Sequence, residues 1–243
     1  MGCCFVILQK FLPMIAFLKK YRLLIIVFVI LSVAFLILSY NLLKTDPAPK
    51  IYSPADVSPE LVDSTIQRVG RHHKIANFAF TNQNGKTITQ NDYKGKIYVA
   101  DFFFTTCKSI CPIMTTNMVW LQDQVKAMPD VMLLSHSVTP DIDTVPVLKA
   151  YAEEKGAIDG KWNLVTGDKK DIYYIARKSY LAVKTSDSSE LYDMVHTENF
   201  ILVDQKGRIR GFYNGTNLNK KVEGEKNMQD LLHDIKWLSE HEN

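Results

Sequence analysis

The sequence predicts an α/β domain, a mixed central sheet with helices on both faces, carried behind one apolar helix near the N-terminus. Three observations predict it. Ile97 to Phe104 is a β-branched and aromatic run, apolar almost throughout, as strands buried on both faces are. Turn signals at Asn84-Gly85 and at Gln205-Lys206-Gly207 place one β-hairpin before that run and another after it. Between the hairpins, amphipathic stretches alternate with short apolar runs, and a hairpin, βαβ, αβ-hairpin-α order gives a mixed sheet.

The chain has 243 residues, enough for one sizeable domain with appendages. Leu23 to Leu43 is apolar for the roughly 20 residues that a helix needs to cross hydrocarbon, and Lys19, Lys20 and Arg22 precede it. The positive-inside rule then keeps residues 1–22 in the cytoplasm and exports the chain beyond the 23–43 anchor. The rival is a signal peptide cleaved after Ser32-Val33-Ala34, but Phe35 to Leu38 continue the apolar run past that site. A start at Met14 would leave a conventional charged region ahead of the span. Cys3 and Cys4, ahead of Met14, are read as an over-extended start or a palmitoylation site and are given no chemistry.

Residues 44–74 read as a tether, with four prolines between Thr45 and Pro59 favouring an extended chain. His72-His73 lies there as a solvated pair. The folded domain is expected over 75–243. Five positive and no acidic residues fall in the first 44 positions of a chain of net charge +3, so the rest carries −2 and has no electrostatic footprint for nucleic acid.

Within the domain, Phe78 to Phe80 and Thr87 to Thr89 form the first hairpin. Met114, Met118, Leu121, Val125 and Met128 make one apolar face of a helix, and Val131 to Val138 is a second buried strand. His136, inside it, reads as a satisfied core histidine. Asp143 or Thr144 caps a helix to about Lys155, Trp162 to Val165 is a short strand, and Asp168 caps a helix through Ser179. Phe200 to Val203 and Ile209 to Tyr213 form the second hairpin, and Asn219 to His241 is a closing helix.

Chemistry concentrates where the central strand stops. Cys107 and Cys111 bracket a strand-to-helix turn, with Pro112 suited to a first helical turn. Helix N-terminal amides and Lys108 both favour thiolate. Being the only cysteines of the exported part, the pair cannot form a disulfide scaffold; it suits thiol–disulfide exchange or a thiophilic metal. His196, just before the Phe200 strand, turns the reading towards metal, since two thiolates and one imidazole suit Cu(I), or Cu(II) with an added ligand.

Over roughly Ile75 to Trp237 the chain resembles the Sco (SenC/PrrC) family of copper-binding proteins that assist cytochrome c oxidase assembly. Three segments carry the resemblance: FFFTTCKSICP, SVTPDIDTVPVLKAY and VHTENFILVDQKGRIRGFY. It implies a thioredoxin-like fold and matches Cys107, Cys111 and His196 to the family's copper ligands. Many members carry Pro-Asp where this chain has Lys108-Ser109, and an Asp where Val195 precedes the histidine. These departures bear on thiol pKa and imidazole orientation without removing a ligand.

The resemblance implies a metallochaperone held in the inner membrane, its domain in the periplasm or an equivalent space. It would carry Cu(I) or Cu(II) to the CuA site of oxidase subunit II and depend on a thiol reductant. The alternative is a thiol–disulfide oxidoreductase that keeps the CuA-site cysteines reduced, with Cys107 and Cys111 as its redox-active disulfide. A peroxiredoxin-like peroxidase is a third, weaker reading.

Overall fold

The computed structural model describes residues 19–43, 46–57, 73–182 and 198–242, with Val62, Thr65, Ile66 and Gly70. The chain divides into two units, Met1–Pro47 and Ala48–Asn243. The first contains helix α1 (Arg22–Leu43). Among the described residues it is the one helix long and apolar enough to cross a bilayer.

The second unit is a seven-stranded mixed sheet. Its strands are β1 (Ala79–Asn82), β2 (Thr87–Thr89), β3 (Ile97–Phe103), β4 (Val131–Ser137), β5 (Trp162–Thr166), β6 (Asn199–Val203) and β7 (Ile209–Asn214), in spatial order β2-β1-β5-β4-β3-β6-β7. β3, β4 and β5 are parallel and every other pairing is antiparallel. Both hairpins turn where the sequence expects, with Gly85 (φ 73°) and Gly207 (φ 75°) in the left-handed region that a side chain disfavours.

Among the described residues four α-helices cover this sheet: α2 (Cys111–Val125), α3 (Val145–Lys155), α4 (Lys169–Lys178) and α5 (Met228–His241). β3 is buried on both faces, so its alternation sorts two cores. Tyr98, Ala100 and Phe102 join the core that includes Ile172 and Ile175 of α4. Ile97, Val99 and Phe103 join the other, which includes Met114, Met118 and Leu121 of α2, Leu148 of α3 and Ile235 of α5. The sheet and both cores lie within Ala48–Asn243, so this unit holds what it needs to fold by itself.

Several expectations change. The proline-rich stretch does not hang free throughout, and Pro54–Asp56 forms a 3-10 turn. Pro49 is buried, its carbonyl accepts from Arg210 Nε (3.2 Å) and Nη2 (2.7 Å), and the Tyr52 amide donates to Ile209 O (2.8 Å). Arg210 is 1% exposed, and a buried guanidinium needs acceptors; Pro49, Asp204 and Glu242 supply them. His73 is half-buried rather than solvated and donates through Nε2 to the Ser179 carbonyl (2.7 Å); His72 lies outside the described residues.

The helix expected from Met114 stops at Val125, leaving Met128 beyond its end. The closing helix starts at Met228 rather than Asn219, because Asn227 caps it through the amides of Gln229 and Asp230 while Gly224 (φ 78°) turns the chain just before. Asp168 caps α4 as expected, accepting from the Lys170 amide at 2.7 Å.

Candidate functional site

β3 delivers the chain to the carboxyl end of the parallel strands, the side of an α/β sheet where ligands are usually bound. There the backbone leaves the sheet at Phe104, turns through Cys107 and enters α2 at Cys111. Both cysteines are free thiols, Cys107 at 9% and Cys111 at 3% exposure, and both join the core on the α2 face. Pro112 occupies the first turn, where no intrahelical donor is required of it. α2 is fixed beneath the pair by polar side chains as well as apolar ones. Thr115 Oγ1 bonds the Tyr151 hydroxyl of α3 (2.8 Å), and Asn117 donates to the Gly215 carbonyl (2.7 Å).

The loop ahead of Cys107 is held by Asp143, a residue that its own segment presents as a helix cap. Asp143 is fully buried and does not cap α3. Its carboxylate accepts from the Thr105 amide (3.2 Å) and hydroxyl (2.5 Å), from Ser137 Oγ (2.6 Å) and from Thr139 Oγ1 (3.0 Å). Thr144 stands at the N-cap of α3 with no side-chain capping bond. The carboxylate thereby ties the end of β3 to the end of β4, and the charge is matched by four donors instead of a cation.

The two thiols differ in acidity. Burial pushes Cys107 up, but bonds from the Ser109 hydroxyl, the Cys111 thiol and the backbone amides of Cys111 and Ser109 together outweigh it and hold the pKa at about 7. Ser109 Oγ lies 3.5 Å from Cys107 Sγ, so one of the residues that departs from the common Pro-Asp spacer contributes directly. Cys111 goes the other way, to about 12. Burial dominates, the bond it donates to the Cys107 sulfur favours its protonated form, and the Asp101 charge adds to the cost of ionising it. The expected lowering is thus found for the first cysteine, through hydrogen bonds that include helix N-terminal amides but without a contribution from Lys108, and fails for the second, where burial dominates.

The SCO1/SenC family model matches residues 67–230. This chain belongs to the SCO1/SenC family. It is 35% identical over 146 residues to the SCO1 protein homolog of Bacillus subtilis (strain 168), covering 59% of this chain and 75% of that protein. Its fold superposes on BsSco, a member of the Sco family of cytochrome c oxidase assembly proteins in which a disulfide switch is identified. That match has a TM-score of 0.57 at 32% identity, over 70% of this chain and 95% of that one. Bradyrhizobium japonicum ScoI, solved with copper bound, superposes with a TM-score of 0.52 at 26% identity, over 67% and 98% of the two chains. The thioredoxin-like fold is therefore that of Sco structures.

Within this Sco/SenC domain the structure brings Cys107 and Cys111 together, and His196 lies outside the described residues. Among the described residues no group of three His, Cys, Asp or Glu is positioned to hold a metal ion. His136 is a core histidine but satisfied on one side only. Its Nδ1 donates to the Asp101 carbonyl (3.3 Å), its Nε2 has no partner among the described residues, and it packs among Phe78, Phe80, Phe102 and Tyr180. Burial holds its pKa down at about 4.

Sequence reasoning missed Asp101, 4% exposed on the cysteine side of β3, where it faces Ser135 across the ladder. Burial raises its carboxyl to about 7 against the bond from Ser135, and Oδ1 has no partner among the described residues. The signal was legible as one acid in an otherwise apolar strand.

Proposed function

We propose that this protein is a membrane-anchored copper carrier. Cys107 and Cys111 bind copper as thiolates, His196 supplies the third ligand, and the ion passes to the CuA centre of oxidase subunit II. The observation that carries the reading is the pair of buried free thiols that bracket the turn into α2, one of them held at about 7, in a chain whose relative ScoI holds copper. Two soft sulfur donors in apolar surroundings fit a thiophilic monovalent ion, and a low-pKa thiol gives up its proton readily when the ion binds. α1 serves as a single-pass anchor with its N-terminus in the cytoplasm, and the domain works in the periplasm or an equivalent oxidising space, which makes a thiol reductant necessary.

Titration of the Ala48–Asn243 unit with Cu(I) and Cu(II), reduced and oxidised, tests this. Stoichiometric binding confined to the reduced form is the expected result, because neither sulfur of a disulfide carries a thiolate charge. Equal binding to the oxidised form would remove the cysteines from the ligand set.

A second reading has its own observation. A thiol at about 7 beside one at about 12 is the division of labour that thiol–disulfide exchange uses: an attacking thiolate and a protonated partner. The oxidoreductase role towards the CuA-site cysteines draws on that split, and BsSco has a disulfide switch. Protease accessibility in cells with the outer barrier permeabilised, combined with fractionation, tests the topology common to both readings. Cleavage of the domain with retention of α1 in the membrane is expected; protection of the domain overturns the proposed partner.

A further inference from the structure

At the end of the sheet away from the dithiol, before β3 begins, lies a cavity of about 470 Å³. Three segments distant in sequence line it, and each brings one lysine with at least one carboxamide: Lys74 with Asn77, Lys94 with Gln90 and Asn91, and Lys206 with Gln205. Backbone bonds lock the segments together, from Ile75 N to Gly207 O (2.9 Å) and from Gly95 N to Gln205 O (3.3 Å). Among the described residues no carboxylate lines the cavity. The three lysines make no ion pair among the described residues, although the chain beyond residue 44 is net acidic. Ordinary surface chemistry intersperses the two signs, so three unpaired cations around one cavity want an anion.

A second observation is independent of charge. The Gln205 carboxamide is closed off from bulk water at both nitrogen and oxygen with no partner at either among the described residues, and Gln90 Oε1 is in the same position. Buried polar atoms are paired in the great majority of cases, and such exceptions mark a missing water, ion or ligand. A bare anion would answer the lysines and the Gln205 N–H but leave both carboxamide oxygens without a donor. A molecule with phosphate oxygens and free hydroxyls answers all of them, and the cavity is larger than inorganic phosphate requires.

We propose that this cavity binds a hydroxyl-bearing phosphate ester of the glycerophosphate class. Its phosphate sits among Lys74, Lys94 and Lys206, and its hydroxyls donate to Gln205 and Gln90. A soluble ester and a glycerol-headed anionic lipid offer the same chemistry, and the test separates them.

The ¹⁵N-labelled Ala48–Asn243 unit is titrated with sn-glycerol 3-phosphate and with inorganic phosphate while the Gln90 and Gln205 side-chain amides are observed. Both amides shift saturably, and the ester binds roughly fivefold tighter than phosphate, the gain of about one net hydrogen bond. Each single Lys→Gln substitution weakens binding roughly two- to fivefold, as exposed charge contacts do. Lys74→Gln/Lys94→Gln/Lys206→Gln together abolish it, with copper binding at the distant dithiol unchanged as a check on folding. Flotation with phosphatidylglycerol but not phosphatidylcholine vesicles, lost in the triple variant and accompanied by the ester shifts, makes a lipid headgroup the occupant. Ester shifts without flotation make it a soluble ester. Absence of saturable shifts with the ester, shifts that survive the triple substitution, or flotation without any shift of the Gln205 amide overturns the proposal.

Discussion

The carboxylate of Asp143 accepts both the amide and the hydroxyl of Thr105, two residues ahead of Cys107. A loop carrying a reactive thiol is thereby fixed to the neighbouring parallel strand by side-chain bonds where the ladder has ended. Asp143→Ala is expected to destabilise the domain by about 3 kcal/mol, since it takes the acceptor from the half-buried Thr105 hydroxyl and from the buried Ser137 hydroxyl, and hydrogen bonds to a charged group are worth about 1.5–3 kcal/mol. Thr144→Ala, at a cap position without a capping bond, should cost under about 0.5 kcal/mol. Urea denaturation of the two variants distinguishes clamp from cap, and equal losses would refute the distinction.

Thiol reactivity should separate the cysteines. In reduced protein the alkylation rate of Cys107 is expected to rise with a midpoint near pH 7, while Cys111 stays unlabelled through pH 10. Ser109→Ala removes one bond that favours the thiolate, so the Cys107 midpoint should move up by roughly 0.5 to 1. Peptide mass spectrometry of iodoacetamide-treated samples reads both, and a midpoint unmoved by the substitution would remove Ser109 from the site's electrostatics.

His136 and Asp101 should impose opposite pH slopes on stability. With a folded pKa of about 4, His136 stays neutral in the folded protein while the unfolded chain takes up a proton below about 6.5, so its contribution is lost as pH falls through that window. Asp101, raised to about 7, keeps its proton in the folded protein while the unfolded chain releases it near 3.8, so its contribution is lost as pH rises. At roughly 1.4 kcal/mol per pH unit, each accounts for about 3 kcal/mol between pH 4 and 6.5, with opposite signs. Relative to the parent, His136→Phe should therefore gain most at low pH and Asp101→Asn most at neutral pH. Urea midpoints across that range check this, and two parallel difference profiles would contradict it.

His196→Ala should weaken copper binding by roughly two orders of magnitude or more while leaving thiol–disulfide exchange largely intact, since imidazole is a metal ligand and exchange between two thiols needs none. Competition titration with a Cu(I) chelator gives the first and reduction of a small disulfide substrate the second. Equal loss of both activities would count against the division of roles.

The sequence by itself determined the sheet, the hairpins, the strand-to-helix turn bearing Cys107 and Cys111, and the apolar helix. Each is written in local terms: apolar periodicity, Asn-Gly and Lys-Gly turns, and a proline that tolerates only a helix's first turn. What the tertiary structure decided depends on residues far apart in the chain. Asp143 reads as a cap in its own segment and becomes a clamp only because parallel pairing brings the end of β3 beside the end of β4. The stretch around Pro49 reads as a free tether until a buried Arg210, 161 residues later, needs its carbonyl. The split between the two thiols is likewise a matter of depth, because a dipole and a nearby lysine can be counted in sequence, whereas desolvation exists only once the core has closed around Cys111.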